Sequence, residues 1–190
     1  VYGKRKIETV ARIKSLFETD FYHISLSTDV RGVECAVAMK NAYALGVCLA
    51  IGLSYRREGR EFEHYNSQAA LFGQAVHEMS KLIELCGGRP DNIMLGAGDL
   101  YVTVFGGRTR KIGILLGSGM SFDEAMKKLA GITLESVVIA GRTATAVREL
   151  IAAGRVTEAD FPLLLHVDAI IRKGEPVNIP WRDFERETII

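Results

Sequence analysis

Between Val30 and Leu53 the sequence is almost wholly apolar or small, and this one segment most restricts how the chain can fold. Alanines and glycines at Ala36, Ala38, Ala42, Ala44, Gly46, Ala50 and Gly52 would let neighbouring helices approach closely. Its length and hydrophobicity could suit a bilayer span, but Glu34, Lys40 and Asn41 interrupt it. Charged groups are costly in hydrocarbon, so the segment reads as a buried helix at the centre of a helical domain, not a membrane span.

At 190 residues and 48% hydrophobic, the chain can bury a core of ordinary domain size around that helix. Its net charge is +1, from 24 basic and 23 acidic residues. Such a balance supplies no field to recruit nucleic acid or an anionic membrane, so anion binding has to be local. Cys35, Cys48 and Cys86 lie in apolar segments without metal-ligand spacing and read as buried free thiols of a reducing, cytoplasmic compartment. His64, His77 and His166 are scattered and imply no metal. No charged-then-apolar leader precedes a cleavage site, and the start at Val1, directly before a helical pattern, suggests truncation upstream.

From Arg5 to Phe17, apolar Ile7, Val10, Ile13, Leu16 and Phe17 recur at helical spacing, and 21–26 then alternates as a short strand would. A lone strand cannot cover its own edges, so residues 1–30 read as the tail of a larger α/β domain, with a helical domain over 31–190. The charged stretch from Ser54 to Glu63 predicts a solvated loop, followed by a helix from Asn66 to Cys86 that Gly87 and Gly88 end. Pro90-Asp91 opens a short helical turn. The glycine-rich stretch from Gly96 to Gly107 predicts a loop with at most one helical turn. Helices are then expected over 108–116, after the capping box of Ser121 and Glu124, and over 137–152 and 161–172. The tail with Pro176, Pro180 and Trp181 reads as an irregular cover.

Three places can carry chemistry. Lys40 stands beside Asn41 in the apolar helix, where a lysine is suited to exchange a proton with substrate; the plainer reading is an ammonium that reaches water while its stem covers core. Asp99, between glycines, could hold that lysine or a substrate hydroxyl, or could simply cap a short helix, with Thr103 on the same face. In Gly106-Gly107-Arg108-Thr109-Arg110-Lys111, two glycines open a helix and cations crowd its first turns, against the helix dipole. A bound phosphate would reverse that penalty, although a solvated basic turn explains the residues too. Glu135, in Thr133-Leu134-Glu135-Ser136, is either a functional loop residue or a cap.

These motifs occur in a telling order. Gly-Val-Glu at 32–34, Ala-Met-Lys-Asn at 38–41, Gly-Ala-Gly-Asp-Leu at 96–100 and Gly-Gly-Arg-Thr-Arg-Lys at 106–111 are joined by Asn66-Ser67-Gln68-Ala69-Ala70, Glu78-Met79, Arg142-Thr143-Ala144 and Phe161-Pro162-Leu163. Together they resemble the NAD(P)-dependent glycerol-3-phosphate dehydrogenases from Phe21 onward. The resemblance implies a mainly α, multi-helix domain like the C-terminal domains of glycerol-3-phosphate and 6-phosphogluconate dehydrogenases, preceded by a helix-strand remnant of a Rossmann domain. It implies interconversion of glycerol 3-phosphate and dihydroxyacetone phosphate with NAD or NADP, bound mainly by a domain whose glycine fingerprint these residues lack. Carried over by position, Lys40 is the proton donor or acceptor at the substrate C2 oxygen and Asn41 positions the substrate. Asp99 and Thr103 hold the lysine and the substrate's polar end. Gly107, Arg108 and Thr109 face the phosphate, while Arg108, Thr133 and Glu135 reach the nucleotide. A homodimer is compatible with helix patterning but not fixed by it.

Three departures qualify the likeness. Thr109 stands where the family usually has asparagine, Gln74 where bacterial members typically carry arginine, and three extra residues lie between Glu135 and Arg142, which predicts a shifted loop around Glu135. The competing readings are a hydroxy-acid or ketopantoate-type dehydrogenase, which usually lacks the Gly-Gly-Arg turn, and an inactive helical dimerisation module, in which Lys40, Asp99 and Arg108 would not converge. The 190 residues alone are expected to be inactive, for want of a nucleotide domain.

Overall fold

A computed structural model describes residues 2–60 and 64–184, with side chains from residue 7 onward. Eight α-helices build the described chain: α1 (Tyr2–Phe17), α2 (Val30–Glu58), α3 (Tyr65–Leu85), α4 (Ile93–Phe105), α5 (Gly107–Gly117), α6 (Phe122–Lys128), α7 (Glu135–Ala152) and α8 (Pro162–Lys173). Short 3-10 turns stand at Pro90–Asn92, Glu158–Asp160 and Trp181–Phe184.

The apolar segment is the axis of this fold. α2 packs against α3, α4, α5, α7 and α8, and every residue from Ala42 to Gly52 is buried. It is long and apolar enough to cross a membrane by composition, yet most of its apolar stretch is covered by other helices of the same chain. Small residues make the closest crossing possible. A Cβ on Gly117 would stand 2.3 Å from Leu49 O, and one on Gly52 would stand 2.3 Å from Ile114 O, so α5 lies on α2 backbone to backbone.

Several expected boundaries move. The solvated loop predicted from Ser54 begins later: Ser54 is buried, α2 runs on to Glu58, and Gly59 ends it in the left-handed region at φ 70°. Glu61 to Glu63 lie outside the described residues. The loop predicted over Gly96–Gly107 is instead the continuous helix α4, broken at Gly106. Its glycine at 96 serves packing, because a Cβ there would stand 2.8 Å from Met79 Cε and 3.2 Å from Ala36 Cβ. Glu135 is the first residue of α7, which runs unbroken to Ala152. Residues 21–26 are not paired as a strand, since no neighbouring strand among the described residues takes up their N–H and C=O groups. Phe21 is 96% exposed and Leu16 72%, so the apolar face of this opening has no cover within the described chain.

Buried polar groups tie the helices together. Glu78, on α3, is fully buried and accepts the N–H groups of Leu163 (2.8 Å) and Leu164 (3.0 Å), capping α8 from another helix. Gln74 also donates to it, at 2.7 Å, so the residue standing where an arginine was expected works as a neutral partner. Burial pushes the Glu78 carboxyl up to about 7 against the donors that pull it down. Asp168, equally buried, lies 2.6 Å from Arg148 Nη1 and accepts from Arg172 Nε at 3.0 Å, joining α7 to α8. Asp29 joins two elements: Oδ1 accepts from Gly32 N (3.0 Å), and Oδ2 from Arg89 N and Asn92 Nδ2 (both 2.6 Å). Those backbone bonds hold its carboxyl below the usual range and pin the start of α2 to the turn after α3. Of the cysteines, Cys48 is buried and Cys35 half-buried, but Cys86 is exposed because it caps the open end of α3.

Candidate active site

Lys40 and Asp99 meet. They lie 59 residues apart in sequence, yet the α2–α4 contact brings the Lys40 ammonium onto Asp99 Oδ2 as a direct, half-buried ion pair. Neither side chain is sealed: Lys40 retains 21% of its exposure and Asp99 36%, so both remain reachable. The ammonium that could have snorkelled into bulk water instead has a fixed partner. Asp99 is presented by the body of a helix, not by a loop, and this gives its carboxylate a fixed direction. Thr103, one turn on, donates its hydroxyl to Asp99 O at 2.7 Å and so shares that face.

Beside the pair opens a cleft of about 490 Å³ between α2 and the start of α7. Its wall carries Lys40 and Asn41, Glu135 faces them from the first turn of α7, and Val37 and Ile139 supply an apolar floor. Glu34, one and a half turns before Lys40, also lines it. Glu34 stands in the Gly-Val-Glu motif at 32–34 with no role assigned; its seven-residue spacing from Asn41, two helical turns along one face, is the signal that places it in the cleft. Thr133 is exposed two residues before Glu135, in the connector leading into α7.

The Gly-Gly-Arg turn forms a separate edge. Gly106 is extended, Gly107 takes φ 80°, and α5 then starts with no side chain capping its N-terminal N–H groups. A φ of 80° strains any residue with a Cβ, which accounts for the glycine at 107. Arg108 is exposed at this uncapped end, whereas Thr109 is buried. Arg110 turns back to Val104 O at 3.3 Å, so the cations of the turn are not equivalent. α5 rests on both α2 and α4, the helices that supply Lys40 and Asp99.

Comparison with known proteins places the chain in a family. Residues 29–181 match the family model described as NAD-dependent glycerol-3-phosphate dehydrogenase C-terminus. The chain is 34% identical over 131 residues to the NADP(+)-dependent glycerol-3-phosphate dehydrogenase of Archaeoglobus fulgidus, covering 68% of this chain and 38% of that protein. It is 32% identical over 179 residues to glycerol-3-phosphate dehydrogenase [NAD(P)+] of Oleidesulfovibrio alaskensis, covering 92% and 49%. Among solved structures, DsGPDH of Dunaliella salina superposes with a TM-score of 0.72 at 25% identity, over 93% of this chain and 33% of that one. Glycerol-3-phosphate dehydrogenase from Coxiella burnetii shares the fold, with a TM-score of 0.70 at 22% identity over 93% and 50%. The chain thus spans half or less of the length of these relatives. An ordered match over 29–181, on a helical fold shared with solved members, favours neither the ketopantoate-type alternative nor a bare dimerisation module. By sequence and by fold, the chain belongs to the C-terminal domain family of the NAD-dependent glycerol-3-phosphate dehydrogenases.

Proposed function

We propose that this chain is the substrate-binding part of an enzyme that interconverts sn-glycerol 3-phosphate and dihydroxyacetone phosphate with NAD or NADP. The observation that carries the proposal is the Lys40–Asp99 ion pair at the wall of an open cleft. In this reading residues 1–30 belong to the nucleotide-binding domain and 31–190 to the substrate-binding domain. The uncovered apolar face of α1, Phe21 and Tyr22 supports that division, since such surface normally meets another unit.

The nicotinamide, when bound, supplies or accepts the hydride at substrate C2. Residues of this chain fit one edge of that cofactor: Val37 and Ile139 offer an apolar floor to a planar ring, and Glu135 offers acceptors to hydroxyls. Arg108, from the separate Gly-Gly-Arg edge, and Thr133, in the connector before α7, are the further residues assigned to the nucleotide in this reading. Lys40 donates a proton to the C2 oxygen as the ketone is reduced and takes it back in the reverse direction. Asp99 keeps the ammonium aimed, and Asn41 and Thr103 orient the hydroxyls. At the other end of the substrate, the uncapped N–H groups after Gly107 and the Arg108 guanidinium receive the phosphate, with Thr109 lining the first turn from its buried position.

The test is turnover by the complete protein of dihydroxyacetone phosphate against unphosphorylated dihydroxyacetone, with NADH and NADPH. A preference of several orders of magnitude for the phosphorylated ketone is expected, while the 190-residue chain alone transfers no hydride. Equal turnover of both ketones would remove the phosphate assignment. Cytoplasmic residence and a homodimer remain part of this proposal.

A further inference from the structure

Two of the cysteines form a pair that the dehydrogenase reading leaves unused. Cys35 sits on α2 between Glu34 of the cleft and the buried Ala36, and its thiol neighbours that of Cys86 at the end of α3. The backbones around the pair are held on both sides. Gly88, two residues beyond Cys86, approaches α2 so closely that a Cβ there would stand 2.4 Å from Gly32 Cα, one turn before Cys35. Cys86 N–H donates to Leu82 O and Gly88 N–H to Ile83 O, both at 2.9 Å, which fixes the turn that carries the second thiol. Asp29 then binds the start of α2 to Arg89 N in that same turn, at 2.6 Å. The backbones that carry the two thiols are thereby held near each other.

The two sulfurs differ in access. Cys86 is exposed and Cys35 half-buried. Burial, with the neighbouring Cys86 adding to it, pushes the Cys35 thiol up to about 12, so Cys35 is a poor target for a reagent arriving from solvent. Held against a sulfur that has already reacted, it needs no such reagent. Cys48 is sealed between α2 and α4, with its thiol facing Val104 O at 3.7 Å, and it lies outside this pair.

We infer that Cys35 and Cys86 are a thiol–disulfide site, closed by exchange with a small-molecule disulfide of the glutathione type into a covalent link between α2 and the end of α3. In the first step the Cys86 thiolate attacks the disulfide, forming a mixed disulfide and expelling one thiolate. In the second, the Cys35 sulfur attacks the Cys86 sulfur, its proton passes to solvent, and the second small thiol leaves. One external disulfide is reduced to two thiols while two protein thiols become one disulfide, so atoms and electrons balance. The link closes a loop of about 50 residues that contains Lys40 and most of its helix, and it leaves Lys40, Asn41 and Asp99 unmodified.

The experiment is incubation of the folded 190-residue chain with oxidised glutathione, acid quench, alkylation of remaining thiols and non-reducing peptide mapping. Free thiols should fall from three to one, with a Cys35–Cys86 linked peptide, Cys48 alkylated, and full reversal by dithiothreitol. Cys48→Ser should give the same link with no thiol remaining, and Cys35→Ser should stop at glutathione on Cys86. Circular dichroism checks that each variant is folded. A wild-type product that keeps glutathione on Cys86 beside a free Cys35, a disulfide between two chains, or three unreacted thiols overturns the proposal.

Discussion

At the scale of single residues, chemistry and anchoring are done by side chains that look alike in sequence. Arg108 and Lys111 are both cations of one turn, but Arg108 stands at the uncapped first turn of α5, where N–H groups converge. In the complete protein, Arg108→Ala is expected to raise the KM for dihydroxyacetone phosphate by about 10-fold to 100-fold, the equivalent of 1.5–3 kcal/mol for a charged hydrogen bond, and Lys111→Ala by much less. Steady-state kinetics on both variants checks this, and equal losses would point to a diffuse basic patch. Glu78 gives a prediction in pH. Its folded value of about 7 lies above the ordinary 4.5, so its contribution to stability is full below about 4.5 and is lost as pH rises through 7. Glu78→Gln removes the titration; its melting temperature should gain on the wild type steadily between pH 4.5 and 8, as thermal scans across that window would show. Parallel curves would mean the carboxyl does not titrate there. Lys40, Asp99 and Arg108 were all legible as candidates because each breaks the pattern around it: a charge in an apolar helix, an acid between glycines, cations at a helix start. Glu78 and Asp29 were not, since an acid in a helix or before one reads the same whether it faces solvent or the end of a distant helix.

At the scale of elements, glycine was the hardest residue to read. Gly96 and Gly98 suggested a loop, yet α4 passes through both; the first permits contact with Ala36 and Met79, and the second meets nothing within 4 Å. Sequence gives composition, whereas the difference between a glycine that bends and one that packs lies in the partner helix. The α2–α5 crossing makes this measurable. Gly117→Ala would drive a methyl into Leu49 O and Gly52 and should cost about 1–3 kcal/mol or more, while Gly141→Ala, in α7 with open space around it, should stabilise by about 0.5–1 kcal/mol. Denaturant unfolding of the two variants tests the claim, and a neutral Gly117→Ala would mean the helices can separate without loss. Helix ends marked by local chemistry were read well: the Ser121–Glu124 capping box forms as expected, and Pro90 opens its turn. Where α2 ends was misjudged because Arg56, Arg57 and Glu58 are solvated on a helix as readily as in a loop.

For the whole molecule, one apolar helix organises both stability and chemistry. α2 contacts most of the other helices, and its Lys40 stands where α4 and α7 bring Asp99 and Glu135. That an apolar, alanine-rich segment would lie at the centre was legible from hydrophobicity alone; that its lysine would find the acid 59 residues away was not, because pairing depends on how α4 is rotated against α2. The residues before α2 present the opposite case, an amphipathic helix and an alternating stretch whose apolar side has no cover in the described chain. The central claim is that Lys40 moves the proton at the substrate's reacting carbon. The most direct measurement is kcat for dihydroxyacetone phosphate reduction by the complete protein carrying Lys40→Met, with circular dichroism and substrate binding followed in parallel. A fall in kcat of about 10²–10⁴-fold, with fold and substrate affinity retained, is expected; wild-type turnover in that variant would contradict the account.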